Sequence, residues 1–142
     1  MTKWTFQHSV DCAVPAEFAW SFWTDVGNWA LDADVGSVEI DGPFAAGAMG
    51  ATNSKTSGRV EWRIAEVQHG RAVIEFPLTG AVGRFTWTFE AIGPYTRITQ
   101  HCTLEGEQAE TWAKVAAEGL ESGIPGGMRK LCEAMEAAAH LS

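Results

Sequence analysis

Polar and apolar residues alternate strictly at the start of the chain. Trp4, Phe6, His8, Val10 and Cys12 interleave with Thr5, Gln7, Ser9 and Asp11, which predicts a strand with one buried and one wet face. The period then changes. Pro15 stands where a first helical residue belongs, with φ fixed and no amide to lose. Phe18, Trp20, Phe22 and Trp23 follow, so a short helix is predicted over residues 15–24. Asp25 suits the cap of a second short turn that runs to Trp29.

From Gly36 the period returns to two. Val38 and Ile40 form a short strand, closed by the turn Asp41-Gly42-Pro43. Residues 47–54 are rich in Gly and Ala and make a weakly patterned strand. Over residues 59–67, Val60, Trp62 and Ile64 alternate with Glu61, Arg63 and Ala65. Ala72 to Leu78 carries Ile74 and Phe76 on one face, and Phe85, Trp87 and Phe89 alternate with Arg84, Thr86, Thr88 and Glu90. Beyond Gly93-Pro94, Ile98, Gln100 and Cys102 alternate with Arg97, Thr99, His101 and Thr103. Short turns between consecutive strands make them antiparallel neighbours.

The rest, Gln108 to His140, repeats at helical spacing. Trp112, Val115, Ala116, Gly119, Leu120 and Gly123 share one face; Leu120, Ile124, Met128, Leu131, Met135 and Ala138 share a second. The two stripes are offset by about 100°, one residue's rotation on a helix. Pro125-Gly126-Gly127 lies at the offset, which predicts one long helix broken or bent near Pro125. Strands grouped together with helices segregated give an α+β fold. A seven-stranded antiparallel sheet has one apolar face to cover, and the long C-terminal helix is the element large enough to cover it.

Composition narrows the function. The 142 residues suit a single domain spanning 1–142. Ten Lys and Arg against eighteen Asp and Glu leave a net charge of −8, which disfavours nucleic acid and anionic membrane as partners. No apolar run approaches the roughly 20 residues of a membrane helix, and the N-terminus runs straight into the first strand without a signal-peptide pattern. Three widely spaced cysteines, Cys12, Cys102 and Cys132, fit free thiols in a reducing cytoplasm. His8, His69, His101 and His140 are too scattered for a zinc site, and no metal or other cofactor is expected.

Several residues are candidates for chemistry, each with a purely structural counterpart. Phe6, Trp62, Phe76, Phe85, Trp87 and Phe89 fall on the inner face, as plain core or as the lining of a small-molecule pocket. Gly119, Gly123 and Gly126 or Gly127 form a stripe that costs about 1 kcal/mol per residue relative to Ala. It signals either close helix-to-sheet packing, a broken helix, or volume left open for a ligand. His8 and Gln100 are polar positions on apolar faces, satisfying each other or orienting a ligand carbonyl or hydroxyl. Glu61 and Arg63 belong to the wet face unless the register slips by one.

The run Val14-Pro15-Ala16-Glu17-Phe18-Ala19-Trp20, then Trp23-Thr24-Asp25-Val26-Gly27-Asn28-Trp29, resembles the opening of the START-like, Bet v 1-like superfamily. Gly42-Pro43-Phe44-Ala45-Ala46-Gly47, Ile64-Ala65-Glu66-Val67, and Gly123-Ile124-Pro125 before Met128-Arg129-Lys130-Leu131 are similar to its bacterial polyketide cyclase/dehydrase branch. Many members carry a Pro and a second Trp soon after the first; here Trp29 is followed by Ala30-Leu31-Asp32. The resemblance implies a helix-grip fold, a sheet wrapped around the long helix, with a cavity between them for hydrophobic small molecules such as lipids or polyketides. It carries no catalytic motif, so no catalytic residue is assigned.

The reading is therefore a cytoplasmic binder of a hydrophobic small molecule, monomeric or weakly dimeric. The alternative is a polyketide cyclase/dehydrase-type enzyme using the same cavity, with His8 or Arg63 polarising a carbonyl. The expected ligand contacts from the sheet are His8, Trp62, Phe76, Phe85, Trp87 and Gln100. Those from the helix are Gly119, Gly123, Ile124 and Met128.

Overall fold

The computed structural model of the chain describes residues 2–29, 35–55 and 58–141. Seven strands form one antiparallel sheet: β1 (Thr2–Cys12), β2 (Val35–Ile40), β3 (Met49–Ser54), β4 (Gly58–Gln68), β5 (Arg71–Leu78), β6 (Ala81–Ile92) and β7 (Tyr95–Glu105). Their order is β1-β7-β6-β5-β4-β3-β2. Strands β2 to β7 pair in chain order, as short turns demand; β1 stands apart and pairs with β7. Thus β1 and β2 are the two edges. Helix α1 (Ala16–Thr24) and a 3-10 turn (Val26–Trp29) follow β1, and α2 (Ala109–Leu141) closes the chain.

The alternation seen in the sequence sets the two faces. Ile64, Ile98, Cys102 and Leu104 point inward and are buried. The opposite face is wet and cross-linked by polar pairs. Thr5 bonds His101 and Ser9 bonds Thr99, both at 2.8 Å, and Arg97 donates to Asp11 at 2.9 Å. Arg84 bridges Glu75 at 2.7 Å and Glu105 at 2.9 Å, and Arg63 reaches Glu75 at 2.6 Å. The Arg84 guanidinium beside Glu75 holds that carboxyl below the usual carboxylate range, with Arg63 adding to the effect.

Helix α2 does not spread evenly over the inner face. It lies chiefly along β1, with fewer approaches to β6 and β7. The Trp4 indole donates to Glu121 at 2.8 Å, and the Ala13 amide donates to Glu136 at 2.8 Å. Thr96, fully buried, donates to the Val14 carbonyl at 2.7 Å and pins the end of β1 to β7. Met128, Leu131, Cys132 and Met135 fill the space between α2 and the sheet.

One expectation needs correction. Pro15 is the N-cap of α1, with φ −65° and ψ 150°, and its carbonyl accepts the first helical bond from Ala19 at 3.0 Å. The extended ψ that follows a β-strand exit keeps it one position outside the helix. The expected single long helix is present: α2 runs from Ala109 to Leu141 with Pro125 inside and without a break there. Proline removes one helical bond, to the carbonyl of Glu121. Glu121 is exposed, so water can take that bond's place. The Ala30-Leu31-Asp32 departure lies outside the described residues.

Candidate functional site

The bias of α2 toward β1 leaves the opposite half of the inner face uncovered by the helix. A cavity of about 430 Å³ opens there, within the range of small-molecule sites. Its floor is sheet: Trp62 from β4, Ile74 and Phe76 from β5, Phe85 and Trp87 from β6, and Gln100 from β7. Its roof is Trp23 from α1 and Trp29 from the following turn, and α2 adds Gly127, Lys130 and Leu131 along one side.

Indoles dominate the wall. Trp23 is 2% exposed and sits at the hub, with ring centroids 5.0 Å from Trp87, 5.3 Å from Trp29 and 5.3 Å from Phe44. Trp29 in turn lies 5.1 Å from Trp62. These separations are those of favourable aromatic pairs, so the four indoles form a connected arc. Two of them turn their polar edges to the protein. The Trp29 N–H donates to the Trp23 carbonyl at 2.6 Å, and the Trp62 N–H donates to the Thr52 hydroxyl at 3.1 Å.

Two glycines shape the floor. Gly50 is the cross-strand partner of Trp62, and Gly83 that of Phe76. In each pair the ring lies flat over the glycine. A Cβ on Gly50 would stand 2.3 Å from the Trp62 ring, and one on Gly83 would stand 2.2 Å from the Phe76 ring. The rings lie on the floor because the partner has no side chain, as in aromatic rescue of strand glycines.

Polar groups on the wall are few. Gln100, 6% exposed, stands between Trp87 on β6 and His8 on β1 in the register, so the expected adjacency of His8 and Gln100 is present. Gln100 reaches the cavity; His8 does not line it, because β1 is the strand on which α2 lies. Among the described residues, Lys130 is the sole ionisable group on the wall. Burial raises the Cys102 thiol to about 12, opposed by the Gln100 hydrogen bond, and raises Cys12 and Cys132 as well. Such thiols are core residues, not nucleophiles. Among the described residues, no group of His, Cys, Asp and Glu is arranged to hold a metal ion, and no helix is long and apolar enough to cross a membrane.

The sheet-borne expectations Trp62, Phe76, Phe85, Trp87 and Gln100 all reach the wall. The helix-borne ones do not. Ile124 and Met128 are buried in the core beside the cavity, and Gly119 and Gly123 are exposed, with open space where a Cβ would stand. Close packing therefore does not explain that stripe. Arg63 and Glu61 are on the wet face, as the alternation predicts. Of the glycine stripe, Gly127 does line the wall, together with Lys130 and Leu131, one residue's rotation from the stripe that fills the core. Sequence reasoning passed over Trp23 in the lining, although Ala19 and Trp23 share one buried helical face four residues apart.

The chain belongs to the family described as polyketide cyclase / dehydrase and lipid transport, whose model matches residues 3–139. The fold is that of the Bet v 1-like superfamily. Ara h 8.0201 superposes with a TM-score of 0.77 at 14% identity, over 94% of this chain and 97% of that one. Norcoclaurine synthase from Thalictrum flavum, in complex with dopamine and hydroxybenzaldehyde, gives 0.75 at 13% identity, over 100% of this chain and 89% of that one. The di-domain ARO/CYC protein BexL from the BE-7585A biosynthetic pathway gives 0.70 at 18% identity, over 94% of this chain and 49% of that one. At these identities the likeness is one of fold. No curated protein matches the sequence.

Proposed function

We propose that the chain, as one domain, binds a hydrophobic small molecule in the cavity between the sheet and α2. The observation that carries this reading is an aromatic hollow of about 430 Å³ that the protein's own side chains leave open. Trp62, Phe76, Phe85 and Trp87 supply the apolar contact area, and Gln100 supplies a buried carboxamide for a ligand carbonyl or hydroxyl. Burying about 200 Å² of apolar ligand surface contributes about 5 kcal/mol before ordering costs. The protein would act in the cytoplasm, as a monomer or weak dimer, without nucleic acid.

The family description also admits cyclisation or dehydration in the same hollow. That activity would rest mainly on folding a flexible substrate against the wall. Arg63 and His8 do not reach the cavity, and Gln100 can hydrogen-bond a carbonyl but does not titrate. The arrangement therefore favours holding over acid/base chemistry by those residues.

The test is a titration with the neutral probe N-phenyl-1-naphthylamine, followed by tryptophan emission. Saturable 1:1 quenching is expected, and Ile74→Trp, which places a larger ring in the hollow, should abolish it while native circular dichroism is kept. Absence of saturation in the native protein would overturn the proposal.

A further inference from the structure

The charge on the cavity wall has a sign. The arginines of the sheet, Arg59, Arg63, Arg71, Arg84 and Arg97, are each paired with a carboxylate away from the hollow. Lys130 is different. It stands on the cavity wall one helical turn beyond Gly127, and among the described residues it has neither an ion-pair nor a hydrogen-bond partner. Gly127 carries no side chain, and a Cβ there would meet nothing within 4 Å, so the approach beside Lys130 stays open. No carboxylate lines the cavity among the described residues, although the whole chain carries a net charge of −8. The indole N–H groups of Trp29 and Trp62 are already bonded within the protein, the latter to the lining Thr52 hydroxyl, so the wall offers mainly π faces and neutral polar groups such as the Gln100 amide, with Lys130 as its one charge among the described residues.

Resting on the cavity reading above, we infer that the ligand is an anion: a planar apolar ring system bearing one carboxylate, its rings against the indoles and its carboxylate on Lys130. A cation of the same shape meets aromatic faces that would attract it but also an ammonium that repels it. A neutral analogue gains the apolar contact alone. The overall negative charge opposes anions at long range, but that field is screened beyond about 8–10 Å at physiological salt, whereas Lys130 acts at contact. Lys130 is exposed, so its preference is modest, about fivefold at most.

Calorimetric titration of 2-naphthoate, 2-naphthamide and 2-naphthylmethylammonium tests this. The native protein should bind the carboxylate about three- to fivefold tighter than the amide, and the ammonium weakest. Lys130→Gln should bring the carboxylate-to-amide ratio to near one, and Lys130→Arg should restore it. Raising salt should shrink the ratio. Equal affinity for carboxylate and amide in the native protein, or a ratio that survives Lys130→Gln, would overturn the inference and leave the cavity reading standing. Failure of all three probes to bind would instead remove the cavity reading, and this inference with it.

Discussion

The inner face of the sheet has two halves built from similar residues and used differently. Under α2, along β1 and β7, the space is filled: Met128, Met135, Ile98 and Cys102 are buried against one another. Over β4, β5 and β6 the helix withdraws, and tryptophans from α1 and its turn arch over a hollow. Both halves are apolar. What separates them is whether the covering element carries long flexible side chains that reach the floor or flat rings that rest on each other. Methionine conforms to irregular gaps, whereas the rigid roof indoles Trp23 and Trp29 meet the floor rings Trp87 and Trp62 in tilted contacts and leave the space beside those contacts open.

The sharpest test of that division is a pair of truncations. Met135→Ala empties the filled half and should cost about 2–5 kcal/mol in urea unfolding, with little change in affinity for the cavity ligand. Trp87→Ala should cost less than the usual 3–5 kcal/mol of a buried aromatic truncation, because one side of the ring already borders open space, yet it should weaken binding strongly. Equal losses of stability and affinity in both variants would erase the distinction between the halves.

A smaller effect sharpens it. Gly83→Ala forces the Phe76 ring off the floor and should cost about 1–3 kcal/mol as overpacking. The displaced ring has the cavity as its nearest free space, so affinity should fall most for the largest ligands. Binding that is indifferent to Gly83→Ala would mean that the floor is not the contact surface.

The smallest effect lies on the wet face and bounds the comparison from outside. Glu75 is held ionised by Arg84 and Arg63, so its folded pKa lies below the unfolded value near 4.3. Its contribution is therefore fully present above that value and is lost as pH falls through the lowered folded pKa. Glu75→Gln should cost about 1 kcal/mol at pH 7, and the gap from the native protein should close on acidification. Ligand affinity should be untouched.

Much of this was legible in the residue order. Period-two alternation placed Trp62, Phe76, Phe85, Trp87 and Gln100 on the inner face, because a strand offers only two faces and one must be apolar. The helix was harder. Its periodicity shows which residues are apolar, but the face that meets the hollow depends on where α2 docks across the sheet. Docking along β1 turned Gly127 and Lys130, rather than Gly119 and Gly123, toward the cavity. The seats of Trp62 and Phe76 over Gly50 and Gly83 depend on cross-strand register, which joins residues that the sequence keeps apart.

The inward-turned indole N–H groups bear on how finely such a protein can discriminate. Trp29 and Trp62 direct their donors to the Trp23 carbonyl and the Thr52 hydroxyl, so much of the wall cannot read the hydrogen-bonding pattern of what it encloses. Along that surface, candidates differ only by how well they fill the room, at about 0.8 kcal/mol for each methylene accommodated. On the proposed binding role, such a wall would rank guests by size and end-group charge and accept chemically diverse molecules that share an outline.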